Sequence, residues 1–248
     1  MSYNPFALNG KRILITGASS GIGKTTASEA SKLGASLIIT ARNEERLSDT
    51  FQCLSSSDNL MLVSDLTDDN SIKNLISRLP KLDGVVISVG IADIVPVAFA
   101  TRKKISRVFE TNFFAPVELL RLLLKNKKLN DNSSIVVLSS VGGVSVTSFA
   151  NGIYGASKAA LTSWIKFVAQ EVAQRGIRAN CVCPGMTETP FIHSGTISED
   201  QLEKDKEFYP LKRYGTPEEI AWSIIYLLSD ASRWITGTNL FIDGGISI

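Results

Sequence analysis

Short apolar runs alternate with amphipathic helical segments along the whole chain of 248 residues. This alternation is typical of repeated βαβ units that build a parallel sheet. It predicts one doubly wound α/β domain over residues 1–248, with helices on both faces of seven parallel strands. The predicted strands are 12–15, 37–41, 60–63, 85–88, 134–139, 178–182 and 239–242. The predicted helices are 22–33, 44–51, 69–79, 103–125, 152–174 and 217–228.

Residues 189–214 fit no strand of this sheet. They are polar and contain His193, the only histidine of the chain. A connection of this length is more often functional than idle, so we expect it to be a substrate-loop insertion. His193 is more simply explained as an ordinary residue of this insertion than as a general base.

Composition and charge exclude several classes of function. Hydrophobic residues make up 44% of the chain and the net charge is +2, which predicts a compact globular protein without a nucleic-acid footprint. The longest apolar stretch, 84–100, is broken by Asp93 and Pro96 and is too short for a bilayer, so no membrane association is expected. Cys53, Cys181 and Cys183 show no disulfide or metal spacing, and the start of the chain resembles no signal peptide, which favours a cytoplasmic protein.

A glycine-rich loop joins the first strand to the first helix, with the sequence Thr16-Gly17-Ala18-Ser19-Ser20-Gly21-Ile22-Gly23. Glycines permit a tight turn here, and the helix N-terminus offers free N–H groups to a pyrophosphate. The loop therefore predicts a Rossmann-like dinucleotide site. A simple glycine-rich turn is the alternative, and the flanking strand and helix argue against it.

Two charged residues follow the next strands. Arg42 comes directly after the second strand, where a cation accommodates the 2′-phosphate of NADP, whereas an acid would favour NAD. A solvated charge before a helix is the alternative. Asp65, with Leu66 beside it, is placed to reach the adenine, although it fits a turn or helix-cap residue equally well. Together these residues favour NADP(H) as the cofactor.

Tyr154 and Lys158 stand four residues apart on a predicted helix and so share one face. An ammonium at about 4 Å, at an effective dielectric of about 20, contributes ~4 kcal/mol. That would lower the tyrosine pKa, ordinarily near ~10, by up to roughly three. The pair therefore predicts a proton donor and acceptor for use near neutral pH. A surface tyrosine with a solvated lysine is the alternative from spacing alone.

The chain resembles the short-chain dehydrogenase/reductase family, because five separated motifs occur in order from the glycine loop to Asp243-Gly244-Gly245. The branch that it resembles includes the 3-oxoacyl-carrier-protein reductases and bacterial sugar-alcohol dehydrogenases. The five motifs are the glycine loop, Glu110-Thr111-Asn112, Ser139-Ser140, Tyr154-x-x-x-Lys158, and Pro184-Gly185-Met186-Thr187-Glu188-Thr189.

The resemblance implies a catalytic set of Asn112, Ser140, Tyr154 and Lys158. Tyr154 would transfer the proton to the substrate oxygen, and Lys158 would lower the tyrosine pKa and bind the nicotinamide ribose. Ser140, favoured over Ser139 by its spacing, would hold the carbonyl oxygen. Asn112 would anchor a water leading from Lys158 to solvent, and as a poor helix former it suits a local kink.

The resemblance also implies cofactor contacts from the Pro184–Thr189 motif, with one departure elsewhere. The family usually has Asn-Ala-Gly after the fourth strand, where this chain has Ser88-Val89-Gly90, so the bracing bonds of the asparagine must come from Ser88 or be absent. The predicted cofactor-binding residues are Gly17, Ser19, Ser20, Gly21, Ile22, Arg42, Asp65, Leu66, Ser88, Gly90, Tyr154, Lys158, Pro184, Gly185, Thr187 and Thr189.

The implied activity is NADP(H)-dependent hydride transfer between the nicotinamide and a ketone or secondary alcohol. The substrate is a small molecule, and an acyl thioester, a sugar or a steroid-like ketone all fit the mixed loops 91–101, 142–153 and 191–214. A nucleotide-binding regulatory protein without turnover is the alternative. The resemblance also implies a homotetramer whose dimers pack the helices around Asn112 and Tyr154 face to face.

Overall fold

The computed structural model describes residues 3–193 and 198–248 as a seven-stranded sheet flanked by helices. Every strand pair in it is parallel, with the order β3-β2-β1-β4-β5-β6-β7, so the predicted doubly wound fold is confirmed. The strands are β1 Arg12–Thr16, β2 Ser36–Ala41, β3 Leu60–Val63, β4 Leu82–Ile87, β5 Leu129–Leu138, β6 Arg178–Pro184 and β7 Asn239–Ile242.

Nine α-helices connect or follow the strands in the described part of the chain. They are α1 Gly21–Lys32, α2 Glu44–Gln52, α3 Asp69–Arg78, α4 Arg102–Phe109, α5 Ala115–Lys125, α6 Gly152–Val172, α7 Pro190–His193, α8 Glu199–Lys206 and α9 Pro217–Leu228. None of these helices combines the length and the apolar character that crossing a bilayer requires.

Both faces of the sheet are buried, as a parallel sheet demands. Successive side chains of a strand point to opposite faces, and β1 shows the consequence. Leu14 joins the apolar core under α3, α5 and α6, whereas Ile13 and Ile15 join the core under α1 and α9. The near-continuous apolar runs of the sequence therefore reflect strands that are covered on both sides.

The predicted boundaries are wrong at β4 and β5. β4 begins at Leu82 rather than residue 85, and β5 begins at Leu129 rather than residue 134. The polar stretch at the start of β5 hides it from pattern analysis. Leu82 pairs with Leu129, and then the register shifts before Gly84 pairs with Ser134. Asn130 donates a side-chain hydrogen bond of 2.8 Å to Asp83 across this irregularity, so polar residues replace the apolar pattern there.

The predicted helix 103–125 is interrupted. A π-helical segment, Glu110–Phe114, separates α4 from α5 and contains Asn112. The local kink predicted at Asn112 is thus present as a π-bulge, a feature that frequently marks functional sites.

The insertion 189–214 contains no strand in its described part, as predicted, but it does contain α7 and α8. Ser198 begins α8 with a capping box closed by Gln201, a signal that the sequence carried. The base of the insertion is closed by a bridge between Thr187 and Gly215. Residues 1–2, and residues 194–197 within the predicted insertion, lie outside the described residues.

Candidate active site

The predicted site residues meet at the carboxyl edge of the sheet. β1 lies between β2 and β4, so the connections leaving β1 and β4 diverge and open a crevice at this edge. Such a switch point is where open α/β sheets bind their ligands. The glycine loop follows β1, Ser88 follows β4, Ser139 follows β5, and Pro184 ends β6.

Close backbone contacts explain the glycines of the loop after β1. Gly17 has φ 65°, and a Cβ on it would lie 2.2 Å from the Ser88 carbonyl oxygen. A Cβ on Gly23 would lie 2.3 Å from the Gly17 carbonyl oxygen. The loop therefore packs against the neighbouring strand end and its own helix at distances that only glycine allows.

The start of α1 fits an anion. The Ser20 side chain forms no cap hydrogen bond, and no acidic residue lies in the first turn. Thr189, from the far end of the chain, lies within 3.5 Å of a Cβ built on Gly21, so it faces the same loop. This arrangement fits the pyrophosphate of a dinucleotide, which the loop residues Gly17, Ser19, Ser20, Gly21 and Ile22 would hold.

Arg42 and Asp65 lie near each other at the ends of β2 and β3. Arg42 is exposed. Burial by itself would raise the pKa of Asp65, but hydrogen bonds from Thr67 and the charge of Arg42 outweigh it and lower this pKa. The Asp65 carboxylate accepts bonds of 2.9 and 2.8 Å from the Thr67 backbone and hydroxyl, so it forms the turn that was the alternative interpretation. The Leu66 side chain lies in the core.

Lys158 is buried beneath the Tyr154 ring. The ammonium donates hydrogen bonds of 2.8 Å to the Leu138 carbonyl and 3.2 Å to the Val89 carbonyl. Its Nζ lies 6.0 Å from the centroid of the Tyr154 ring. Burial lowers the pKa of Lys158 to about 8, because the charged form loses its hydration.

The predicted acidification of Tyr154 is wrong for this geometry. Burial raises the pKa of Tyr154 and outweighs the hydrogen bond with Ser140, which acts in the opposite direction. Two backbone carbonyls hold the ammonium below the ring, and Lys158 is not among the groups that lower the pKa of the phenol. In the protein alone, the nearest favourable partner of the phenol is therefore Ser140 rather than Lys158.

The two neighbouring serines differ in their surroundings. Ser139 is buried, donates to the Lys158 carbonyl at 3.2 Å and shares a hydrogen bond of 2.5 Å with Thr162. Ser140 faces the Tyr154 side, and its hydroxyl accepts a hydrogen bond of 3.0 Å from the Gly142 amide. The structure thus brings Ser140 to the tyrosine and uses Ser139 to hold the helix.

Asn112 is fully buried and joins three elements. Its side chain donates 2.9 Å and 3.0 Å bonds to the Ile91 carbonyl and the Ser157 hydroxyl, and accepts a 2.8 Å bond from the Ile91 amide. Ser157 in turn donates to the Tyr154 carbonyl at 2.7 Å. Ser157 was missed from the sequence, although it stands inside the Tyr154-x-x-x-Lys158 motif.

The Ser88-Val89-Gly90 departure is accommodated through the backbone. The Ser88 amide donates to the Thr16 hydroxyl at 3.2 Å, and within the described chain the Ser88 hydroxyl makes no hydrogen bond. A Cβ on Gly90 would lie 3.3 Å from the Lys158 Nζ, so glycine lets this backbone pack closely against the ammonium. The expected bracing by the Ser88 side chain is absent.

The loop 184–189 lies across from the glycine loop. Its start is held by hydrogen bonds from the Val141 amide to the Pro184 carbonyl and from the Gly185 amide to the Ile242 carbonyl, at 3.0 and 3.1 Å. The hydroxyls of Thr187 and Thr189 donate to the carbonyls of Gly185 and Thr187 at 3.1 and 3.2 Å. The loop is therefore an ordered turn before it meets any ligand.

His193 lies between two carboxylates. Its two ring nitrogens are each 3.5 Å from a carboxylate oxygen, one of Glu188 and one of Glu199. The histidine thus belongs to a charged cluster of the insertion. Phe191, on the same short helix, is placed against the tyrosine, with the Phe191 and Tyr154 ring centroids 6.1 Å apart.

Comparison with known proteins agrees with this geometry. The family model described as enoyl-(acyl carrier protein) reductase matches residues 17–247. A 3-oxoacyl-(acyl-carrier-protein) reductase of Rickettsia felis is 35% identical over 240 residues, covering 96% of this chain and 98% of its own. A tropinone reductase homologue of Arabidopsis thaliana is 31% identical over 250 residues, covering 98% and 93%. The crystal structure of a short-chain type dehydrogenase/reductase from Mycobacterium marinum has a TM-score of 0.90 at 27% identity, covering 98% of both chains.

Replacing Lys158 tests its burial. An unfolded lysine titrates near ~10.4, and burial lowers the pKa of Lys158 to about 8 in the folded chain. Between these pH values the unfolded state binds the extra proton, so the folded state gains stability as pH rises. Urea unfolding should show that the free energy of unfolding of the wild type rises, relative to that of Lys158→Met, by up to roughly 3 kcal/mol from pH 7 to pH 10.5.

Lys166→Met is the matched control, because it removes an exposed lysine from the same helix. Its stability difference from the wild type should stay nearly constant over the same range. A difference between Lys158→Met and the wild type that does not change with pH would contradict the lowered pKa.

Proposed function

The chain belongs to the short-chain dehydrogenase/reductase family, and from that premise we propose that it is an NADP(H)-dependent oxidoreductase acting on a ketone or the matching secondary alcohol. The observation that carries the proposal is the convergence of Tyr154, Ser140 and buried Lys158 at the sheet edge that holds the glycine loop. Fold alone would not assign the activity, since function resides in the site.

Tyr154 is the proton donor and acceptor. In reduction, the phenol gives its proton to the substrate oxygen as the carbonyl carbon receives a hydride, and solvent then returns a proton to the tyrosine. The bound nicotinamide supplies that hydride. The Ser140 hydroxyl, adjacent to the phenol, would hydrogen-bond the carbonyl oxygen and orient it.

Lys158 acts from below the ring. Its ammonium is fixed by two carbonyls and lies close to Gly90, and from there it would bind the nicotinamide ribose. Its positive charge would favour the phenolate that remains after proton transfer, against the burial that raises the tyrosine pKa. Asn112 would fix the start of the path from the lysine to solvent, since it holds Ile91 and Ser157 beside it.

NADP(H) is proposed over NAD because Arg42 is the charged group at the end of β2. Its guanidinium is exposed and lies close enough to Asp65 to affect the pKa of that carboxyl. A guanidinium can bind the 2′-phosphate through two parallel hydrogen bonds. Asp65 and Leu66 would contact the adenine. The middle of the cofactor would be contacted by Ser88, Gly90, Tyr154 and Lys158. Its carboxamide and diphosphate would be contacted by Pro184, Gly185, Thr187 and Thr189.

A 3-oxoacyl thioester is the favoured substrate, in line with the similarity to the Rickettsia felis reductase. Phe191 beside Tyr154 and the exposed Phe149 and Phe208 give the surrounding loops an apolar character that suits an acyl chain. We place the enzyme in the cytoplasm, in keeping with its three free cysteines. The alternative, a nucleotide-binding regulatory protein without turnover, is disfavoured because the catalytic set is complete.

A homotetramer is proposed from the exposed apolar side chains on the helices near the site. Ile105 on α4, Phe114 in the π-segment and Phe167 on α6 are 38%, 51% and 62% exposed. Apolar residues exposed together in this way mark interaction surfaces. Light scattering should give four times the 26.8 kDa mass of one chain, and a mass of one chain would contradict the assembly.

Tyr154→Phe should abolish most of the turnover. The change removes only the hydroxyl, so the protein should fold and bind NADPH while the rate falls by about 10²–10⁴-fold, the usual contribution of a general acid. The measurement is the loss of NADPH absorbance with a panel of 3-oxoacyl thioesters, sugars and cyclic ketones.

Tyr226→Phe, on a helix away from the crevice, is the matched control and should keep the full rate. Full activity in Tyr154→Phe would refute the mechanism. Tight NADPH binding by the wild type, without turnover on the whole panel, would support the regulatory alternative instead.

Arg42→Ala should shift the cofactor preference. Loss of the 2′-phosphate contact should raise the KM for NADPH about tenfold, which corresponds to ~1.4 kcal/mol, and leave the KM for NADH unchanged. Arg46→Ala removes an exposed arginine one turn further along and should leave both values unchanged. An equal effect of Arg42→Ala on both cofactors would rule out the assigned contact.

A further inference from the structure

Tyr209 connects the insertion to the loop 184–189, which we call the cofactor loop on the basis of the proposed function. It lies after α8 in the segment 209–215, which we call the strap. The tyrosine is 5% exposed and packs with Ile192, Leu202 and Tyr214 in a small apolar cluster apart from the two cores of the sheet.

Two glycines form the slot that holds the Tyr209 ring. A Cβ on Gly185 would lie 3.2 Å from the Tyr209 Cε1, and a Cβ on Gly244 would lie 3.3 Å from its Cδ1. Both contacts are tighter than a real Cβ usually makes. The ring is therefore seated between the cofactor loop and the Asp243-Gly244-Gly245 turn, and its orientation is fixed by backbone on both sides.

The Tyr209 hydroxyl is directed at the cofactor loop. It accepts a hydrogen bond of 3.0 Å from the Met186 amide. The amides of Gly185 and Glu188 donate instead to backbone carbonyls, those of Ile242 and Gly215, at 3.1 and 2.9 Å. Of these three amides, that of Met186 is thus the one held by a side chain rather than by a backbone carbonyl.

The other side of Tyr209 is anchored to α8. Its ring meets the Tyr214 ring edge to face, with centroids 5.5 Å apart. The Tyr214 hydroxyl lies 2.9 Å from both the Leu202 carbonyl oxygen and the Asp205 carboxylate, and its single proton is shared between these two acceptors. Lys206 lies 5.2 Å from the centre of the Tyr214 ring and 3.3 Å from Glu188 of the cofactor loop. The Tyr209 ring is consequently held on one side by Tyr214 and α8, while its hydroxyl binds the cofactor loop.

We propose that Tyr209 is a positioning residue that fixes the cofactor loop for binding of the nicotinamide half of NADP(H), through the hydrogen bond from the Met186 amide. The inference rests on the proposed function, because it takes the loop 184–189 as the carboxamide and diphosphate contact. A loop already ordered before binding loses less conformational freedom when the cofactor arrives. Thr187 and Thr189 lie one and three residues beyond Met186, so the bond acts where the loop meets the crevice.

Tyr209→Phe tests the proposal, because it keeps the ring in its slot and removes only the acceptor. Isothermal titration should show the Kd for NADPH rising about fivefold to tenfold, since the loop must then be ordered during binding. The kcat at saturating NADPH should change by less than about twofold, because Tyr154, Ser140 and Lys158 are untouched. The Kd for 2′,5′-ADP, which lacks the nicotinamide half, should also stay within about twofold of the wild-type value.

Tyr214→Phe is the matched control. It removes the neighbouring hydroxyl and both of its hydrogen bonds but leaves the Met186 amide paired, so it should lower the melting temperature while keeping the Kd for NADPH near the wild-type value.

Three results would overturn the inference. These are an unchanged Kd for NADPH in Tyr209→Phe, an equal rise in the Kd for 2′,5′-ADP, and an equal rise in the Kd for NADPH in Tyr214→Phe. The last two would show general loosening of the insertion rather than positioning of the loop. If the wild type binds neither NADPH nor 2′,5′-ADP, the cofactor assignment itself fails, and this inference fails with it.

Discussion

Burial of the Lys158 ammonium is the constraint on which the rest of the site depends. A charged group removed from water is costly unless hydrogen bonds replace its hydration. Here the Val89 and Leu138 carbonyls, just after β4 and at the end of β5, supply that replacement. Strand carbonyls can accept hydrogen bonds from the ammonium only where strand pairing stops. The lysine therefore lies at the carboxyl edge of the sheet. The position of the cation is therefore set by the architecture rather than by its neighbours on α6.

The surroundings of α6 keep the lysine in that position. The Ser139 and Thr162 hydroxyls share a hydrogen bond and both lie within hydrogen-bonding distance of the Lys158 carbonyl, which holds the helix against the end of β5. Asn112 reaches the same helix from the π-segment through Ser157. A π-bulge places the asparagine inside the fold, and its three hydrogen bonds leave no buried polar atom of its side chain unpaired. The strand ends, the π-bulge and α6 are thus joined by one network of hydrogen bonds, so a change in any of them affects the position of Tyr154.

Segments from the first third and the last third of the chain meet at the crevice. The glycine loop comes from the first βα unit, and the cofactor loop comes from the sixth strand, yet Thr189 faces Gly21 across the gap. The strap and the turn at Gly244 enclose the cofactor loop from outside. A dinucleotide bound here would be held by segments that are more than 160 residues apart in the sequence. The cofactor site therefore exists only in the completed fold, while its individual pieces are ordered by local backbone contacts.

The sequence by itself determined the sheet, the order of its elements and the identity of the residues at the crevice, because apolar periodicity, glycines and motif spacing are local properties. It also indicated the kink at Asn112, since a polar, poor helix former stands inside a helical pattern. It missed the start of β5, where a register shift and polar pairing hide the strand. Tertiary structure alone decided which groups bind Lys158, and that burial raises rather than lowers the tyrosine pKa. These properties depend on solvent exclusion and on carbonyls from distant strands, and spacing along one helix carries no information about either.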